Sequence, residues 1–246
     1  MNSSIDTPLP WSVVSKTRRS TRVCAAGAAG GSGGVALAGF AAGWPGRVDA
    51  LVNNAGVVSG KPFLECPDRQ VDLTMAVNAL APIWLTKRLL PGMLERGSGS
   101  VVTVASAAGL QGVATLVDYC ASKHAAVGFM EALRVELKRG SSRVRTTLVC
   151  PYYIDTGMFE GVKTRVPLLL PIMRPELVAR RIVRALARAE EVVLLPGFVR
   201  TSWLCRFLFP TSVCDFLLRL MGITASMDDF KGRGGALEGR PPAKEE

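Results

Sequence analysis

Histidine is nearly absent from this sequence, and the cysteines are scattered. His124 is the single histidine among 246 residues, and the six cysteines form no CxxC pair. Zinc sites are built from clustered Cys and His ligands, so we expect no metal site. Scattered cysteines are typical of a reducing compartment. The polar beginning of the chain has no apolar run before a cleavage site, and no secretory signal is expected.

Acidic residues are outnumbered, and aromatic residues are sparse. The chain has 20 Asp and Glu against 30 Lys and Arg, a formal net charge of +10. This balance favours an acidic partner, namely nucleic acid, an anionic membrane face or a phosphorylated cofactor; the alternative is a soluble protein with a basic surface. Because aromatic residues are not interleaved with the basic ones, nucleic acid is not expected as a partner.

Charge is missing altogether from residues 23–46, which are rich in Gly and Ala. Three glycines match the GxxxGxG pattern of a nucleotide loop: Gly27, Gly31 and Gly33. However, only residues 34–50 separate that pattern from the next strand-like run, and each βαβ unit needs roughly 30 residues. We therefore expect a low-complexity segment, with the first βα units missing and the sheet edge beside 48–54 unpaired.

Residues 47–195 alternate between strand-like and helix-like segments. Short apolar runs predict buried parallel strands, and longer runs with helical spacing predict helices. The predicted strands are 48–54, 100–106, 144–150 and 191–195, and the predicted helices are 67–94, 119–138 and 175–189. This alternation predicts an α/β fold with a parallel sheet. Ligands bind beyond the carboxyl ends of such strands, where Asn53, Ser106 and Pro151 are expected to converge.

Tyr119 and Lys123 lie one helical turn apart, so their side chains share a face. A free tyrosine has a pKa of about 10, and a nearby ammonium group lowers that pKa toward the range of a general acid or base. The pair predicts a proton-transfer device, although a surface Tyr with an unrelated Lys is the alternative.

Two further polar residues accompany this pair. Ser106 follows a strand, where its hydroxyl either binds a substrate carbonyl beside Tyr119 or caps a turn. Asn78 interrupts an apolar helix face, and a buried amide there must find partners such as a backbone carbonyl or a water near the lysine. The alternative for Asn78 is a solvated helix position.

Together these motifs resemble the short-chain dehydrogenase/reductase family over about residues 47–195. The motifs, in the family's order, are Asn-Asn-Ala-Gly at 53–56, Asn78, Ser106 and Tyr119-xxx-Lys123. The resemblance implies a Rossmann-like sheet with helices on both faces and NAD or NADP as cofactor. It implies that Tyr119 exchanges the proton, Ser106 steadies the substrate oxygen and Lys123 binds the cofactor ribose. It also implies that Asn78 supports a water-linked proton relay.

The same resemblance implies a set of cofactor-lining residues. These are Asn53, Ala55, Gly56, Tyr119, Lys123, Pro151, Ile154 and Thr156. The family usually has Gly after the proline of the last motif, whereas this chain has Tyr152 there.

A closer resemblance is carried by DYCASK at 118–123 and by CPYYIDTGMFEGVKT from Cys150 onward. Both look like the membrane-associated retinol and 17-beta-hydroxysteroid dehydrogenase branch. The branch implies a small lipophilic alcohol or ketone as substrate, such as a retinoid or steroid. It also implies a membrane or lipid-droplet surface, at the cytoplasmic face of the endoplasmic reticulum or otherwise in the cytoplasm. A homodimer stays open.

The C-terminal residues 198–223 are rich in Phe, Leu and Trp, with arginines interspersed. Their charges argue against a spanning helix. Two interpretations stay open: an amphipathic element on a membrane surface, and a pair of helices over the substrate pocket. We expect an atypical N-terminus (1–46), a catalytic domain (47–196) and an apolar segment with a charged tail (197–246). The competing hypothesis for the whole chain is an inactive, truncated form that acts as a binding or membrane-surface protein.

Overall fold

A five-stranded parallel sheet forms the centre of the computed structural model, which describes residues 23–26 and 47–232. The strands lie side by side in chain order, and each pairs in parallel with the next. They are β1 (Val23–Ala26), β2 (Ala50–Asn53), β3 (Ser100–Val104), β4 (Arg145–Pro151) and β5 (Val192–Leu195). The predicted α/β fold with a parallel sheet is confirmed.

The helices follow the predicted segments closely. Within the described residues they are α1 (Asp68–Met75), α2 (Ala81–Glu95), α3 (Val117–Arg139), α4 (Pro175–Arg188), α5 (Val199–Leu208) and α6 (Thr211–Leu220). The helix predicted over 67–94 is interrupted by one π-helical segment, Ala76–Leu80, between α1 and α2. Such π segments are frequent at functional sites, and this one carries Asn78.

Both faces of the sheet are covered, because successive side chains of a strand point to opposite sides. Val101 of β3 and Leu148 of β4 belong to the core cluster that contains Met130 of α3. Their neighbours Val102 and Val149 belong to a second cluster, which contains residues of α4. The prediction of helices on both faces is therefore confirmed.

The sheet edge beside β2 is not unpaired, and this prediction is wrong. β1 pairs with β2 from Val23 opposite Ala50 to Ala26 opposite Asn53. A run of four small apolar residues beside a Gly/Ala-rich segment has too little periodicity to be distinguished from that segment. The glycines of the GxxxGxG pattern follow directly after β1 in the chain and lie outside the described residues.

Helices α5 and α6 pack onto the sheet and the helices that cover it. Val199, Leu218 and Ile223 are buried and belong to the core cluster on the α3 side of the sheet. The interpretation of this segment as a pair of helices over the pocket is thus confirmed. None of the helices in the described part of the chain has the length and apolar character needed to cross a membrane.

Candidate active site

A cavity of about 1280 Å³ opens beyond the carboxyl ends of β2, β3 and β4. One wall is the chain that follows β2, here called the cofactor loop (residues 54–61), and the opposite wall follows β4. The first turns of α3 form its back, and apolar residues from α5, α6 and the segment after them complete it. The predicted convergence at the strand ends therefore produces a cleft that is open to solvent on one side.

Tyr119 and Lys123 lie together on the wall of this cavity. Their exposed fractions are only 5% and 4%. Lys123 Nζ is 5.6 Å from the centroid of the Tyr119 ring and donates a hydrogen bond to the Val104 carbonyl over 3.1 Å. An ammonium group has three protons to donate, so this bond engages one of them. The predicted pairing of phenol and ammonium is present.

The acidity of Tyr119 differs from the expectation. Burial raises the pKa of Tyr119 above its usual range, and a hydrogen bond from Ser106 opposes that rise. Desolvation outweighs the other influences because it disfavours the charged phenolate in a closed pocket. The same effect lowers the pKa of the Lys123 ammonium to about 8. The predicted lowering of the tyrosine pKa by its lysine neighbour is therefore not what this structure shows.

Ser106 follows β3 and makes two hydrogen bonds. Its oxygen accepts from the Ala108 N–H over 3.1 Å, which caps the short 3-10 turn Ala107–Gly109. Its hydroxyl also bonds to the hydroxyl of Tyr119. The capping interpretation of Ser106 is confirmed, and its contact with a substrate carbonyl stays a prediction.

Asn78 is buried, and both the oxygen and the nitrogen of its side-chain amide form hydrogen bonds. Its Oδ1 accepts from the Val57 N–H, and its Nδ2 donates to the Val57 carbonyl, each over 2.9 Å. Nδ2 also donates to Ser122 Oγ over 3.0 Å, and Ser122 donates to the Tyr119 carbonyl over 2.7 Å. The amide therefore joins the cofactor loop to the catalytic helix, and the solvated alternative is excluded.

Asn53 lies elsewhere than predicted. Its side chain is 2% exposed and turns into the core, where Nδ2 donates to Thr86 and Thr103 over 3.3 and 3.2 Å. The cavity wall begins at the next residue, Asn54. Because successive side chains of a strand alternate, only one of two adjacent asparagines can face the ligand side.

The other predicted cofactor-lining residues reach the cavity. They are Ala55, Gly56, Tyr119, Lys123, Pro151, Ile154 and Thr156. At Gly56, an added Cβ would lie 3.6 Å from both Asn78 Oδ1 and Lys123 Nζ, so the backbone passes close to the catalytic groups. Tyr152, which stands where the family has Gly, is half-buried and packs its ring 4.5 Å from that of Tyr153.

An aromatic wall beside Tyr119 was missed in the sequence. Phe159 packs edge-on against Tyr119 and Tyr153, with ring centroids 5.8 and 5.1 Å apart. Phe230 lies behind Phe159 at 6.4 Å, and the Tyr153 hydroxyl bonds to Ser226 over 3.0 Å. The bond between Tyr153 and Ser226 joins residues 73 positions apart, and no local pattern indicates such a contact.

Comparison with known proteins agrees with this geometry. A family model for short chain dehydrogenases matches residues 35–166. The chain is 38% identical over 204 residues to short-chain dehydrogenase/reductase family 16C member 6 of Bos taurus, covering 82% of this chain and 65% of that protein. It is 40% identical over 186 residues to epidermal retinol dehydrogenase 2 of Homo sapiens, covering 75% and 60%. It is 41% identical over 188 residues to retinol dehydrogenase 10 of Homo sapiens, which covers 75% of this chain and 55% of that protein.

Solved structures share the fold. A short chain dehydrogenase from Burkholderia cenocepacia J2315, in complex with NADP, superposes with a TM-score of 0.63 at 24% identity over 75% of this chain and 74% of that one. A short chain dehydrogenase/reductase from Burkholderia phymatum, in complex with NAD, superposes with a TM-score of 0.61 at 23% identity, over 76% of this chain and 73% of that one. At the same time, the chain spans only 55–65% of the length of the three curated relatives named above.

Proposed function

The chain belongs to the short-chain dehydrogenase family, and on that premise we propose that it is an oxidoreductase. It transfers a hydride between NAD or NADP and a lipid alcohol or ketone, such as a retinoid or steroid. The observation that carries the proposal is the meeting of Tyr119, Ser106 and Lys123 on one wall of a cavity beyond the strand ends. The names of the curated relatives support a retinoid-like substrate.

The residues present fit a nicotinamide cofactor. The cavity, at about 1280 Å³, exceeds the roughly 300–1,000 Å³ of ordinary ligand pockets. Lys123 donates one ammonium proton to the Val104 carbonyl, and its other two protons would bind the ribose. Ile154 and Thr156 would lie along the nicotinamide, and Gly56 lets the backbone approach. When bound, the cofactor supplies or accepts the hydride.

The proton moves through the chain's own groups. During oxidation, the substrate hydroxyl gives its proton to Tyr119 Oη while the carbinol carbon gives up its hydride; during reduction, both return. The Ser106 hydroxyl lines the same cavity and would steady the substrate oxygen. Lys123, with its Nζ 5.6 Å from the centroid of the Tyr119 ring, would hold the cofactor ribose beside that phenol.

The apolar surface of α5 and α6 supports a membrane or lipid-droplet location, at the cytoplasmic face of the endoplasmic reticulum. Trp203, Phe207 and Phe216 are 38%, 71% and 64% exposed. Large exposed apolar side chains on neighbouring helices are typical of membrane or partner contacts. Val199 and Leu218 of the same two helices line the cavity. A lipophilic substrate that enters from a membrane would therefore pass along α5 and α6.

Cofactor binding by the purified chain tests the proposal. Titration calorimetry with NAD(H) and NADP(H) should give saturable binding. Tyr119→Phe should then leave the Kd within about twofold and lower kcat with a retinoid or steroid alcohol by a factor of 10² or more, since general acid–base catalysis contributes about that much. Binding of neither cofactor at millimolar levels would favour the inactive binding protein instead. Retained turnover in Tyr119→Phe would refute the role of Tyr119.

A further inference from the structure

Ser59 and Asp118 form a hydrogen bond beside the catalytic turn. Ser59 Oγ donates to Asp118 Oδ1 over 2.6 Å. Asp118 immediately precedes Tyr119 and is 4% exposed, whereas Ser59 is half-buried on the cavity wall. Neither residue takes part in the proton transfer proposed above.

Burying the carboxylate of Asp118 costs free energy unless hydrogen bonds compensate for the lost hydration. Its second oxygen, Oδ2, has no hydrogen-bond partner in the described part of the chain. A buried, incompletely paired carboxylate destabilises a fold. Asp118 lies in the first turn of α3, where the helix dipole favours negative charge and offsets part of that cost. An exposed carboxylate would interact equally well with the helix dipole. The dipole therefore does not account for the burial, whereas the bond to Ser59 requires it.

This bond is the outer of two ties between the cofactor loop and α3. The inner tie is the pair of hydrogen bonds between Asn78 and the backbone of Val57. Asn78 is joined to Ser122, and Ser122 to the Tyr119 carbonyl. Both ties therefore end on the turn that carries Tyr119. The outer tie holds Ser59 to this turn, beyond the point at which the inner tie holds Val57.

We propose that Asp118 is a positioning residue, which acts through Ser59 to hold the outer half of the cofactor loop against the catalytic turn. Without the outer tie, Ser59 would no longer be fixed to the turn that carries Tyr119, and the cavity wall at Ser59 would be less ordered. The inference rests on the proposed function, because this wall is where the nicotinamide cofactor would lie. The cofactor should therefore bind more weakly, while the chemical groups at Tyr119 stay in place.

Two pairs of variants test this. Ser59→Ala and Asp118→Ala remove the tie, whereas Ser59→Thr and Asp118→Asn keep a hydroxyl donor and an oxygen acceptor. Ser98→Ala and Asp215→Asn, at exposed positions, are matched controls. The Kd for NAD(H) and NADP(H), the cofactor KM, kcat and the Tm are measured for each. Loss of one hydrogen bond corresponds to about a five- to tenfold change in an equilibrium constant.

The expected result is a rise of about five- to tenfold in cofactor Kd and KM for both alanine variants, with kcat changed less than about threefold. The conservative variants should recover to within about twofold, and the double alanine variant should be no weaker than either single one, because both remove the same bond. If the wild type binds neither cofactor, the proposed function fails. If the wild type binds and Ser59→Ala behaves like Ser98→Ala, this inference alone is overturned. Weakening that the conservative variants share, in step with a lowered Tm, would mean a structural role and would also overturn it.

Discussion

At the scale of single residues, the site shows that identical side chains can have different tasks. Asn53 and Asn78 are both buried amides, yet one binds threonines in the core and the other binds the cofactor loop. Lys123 shows the opposite case, in which one side chain has two competing demands. In the proposed function its ammonium group binds the cofactor ribose, while burial disfavours the charged form.

The burial of Lys123 makes a prediction for stability against pH. Its pKa falls from 10.5 to about 8 on folding. Below pH 8 the lysine is protonated in both the folded and unfolded states, and the full cost of burying the charge is present. Between pH 8 and 10.5 this lysine is more protonated in the unfolded state, so its contribution to the stability should rise with pH. The gain expected from Lys123 is about 2 kcal/mol between about pH 7.5 and about pH 10, and the buried thiols and phenols, whose pKa values are raised, oppose it.

Lys123→Met provides the comparison. Methionine has similar length without a titrating group, so this part of the rise should vanish and the variant should be the more stable protein near neutral pH. Urea unfolding at the two pH values gives both free energies of unfolding. A rise of equal size in the variant and in the wild type would contradict the assignment to Lys123.

At the scale of elements, the C-terminal segments complete a site that the catalytic helix begins. Arg206 of α5 donates to the Leu110 carbonyl over 2.9 Å, beside the turn that follows Ser106. After α6, the segment 223–232 returns across the cavity and places Phe230 against the cofactor loop at Gly60. The loop and this segment therefore have to fit each other closely.

The contact at Gly60 is tested by paired alanine substitutions. Gly60 has φ +64°, and an added Cβ would lie 1.9 Å from the Phe230 ring. Gly97 has φ +61° with nothing within 4 Å of such a Cβ. Both changes should cost about 1–2 kcal/mol for the left-handed backbone. Gly60→Ala should cost about 1–3 kcal/mol more, because Phe230 must move.

Urea unfolding measures the two free energies, and hydrogen exchange of residues 223–232 reports the movement. Faster exchange is expected in that segment for Gly60→Ala only. Equal losses of stability in the two variants, with unchanged exchange, would show that Phe230 does not depend on this contact.

At the scale of the whole molecule, charge and apolar surface act together. The formal net charge is +10, and α5 and α6 present large apolar side chains to the outside. Basic charge attracts a protein to anionic lipid, and apolar side chains then insert at the interface. The two features together predict binding to anionic vesicles that weakens with salt but does not vanish, because the apolar part is not screened.

Vesicle flotation with phosphatidylserine-containing liposomes measures this binding. The double variant Phe207→Ser/Phe216→Ser should lower the bound fraction several-fold. Val135→Ser/Val183→Ser, which alters side chains 57% and 66% exposed on α3 and α4, is the matched control. Equal binding of the two double variants would contradict a membrane contact through α5 and α6.

Much of the fold was predictable because local patterns carry it. The strands β2 to β5 and the long helices differ from their predicted bounds by only a few residues. Tyr119, Lys123 and Ser106 line one cavity, and Asn78 is joined to the same helix through Ser122. β1 was missed because four small apolar residues have no distinct period. Which asparagine faces the ligand depends on where a strand ends, and sequence patterns locate element ends poorly.

The sequence by itself determined the parallel sheet, the catalytic helix and the motifs at the strand ends, since these depend on apolar periodicity and on residues a few positions apart. Only the tertiary structure decided the acidity of Tyr119, the task of Asn78, the aromatic wall and the tie between Ser59 and Asp118. Each of these depends on burial or on a contact between distant segments, and desolvation and packing exist only once the chain has closed around the site.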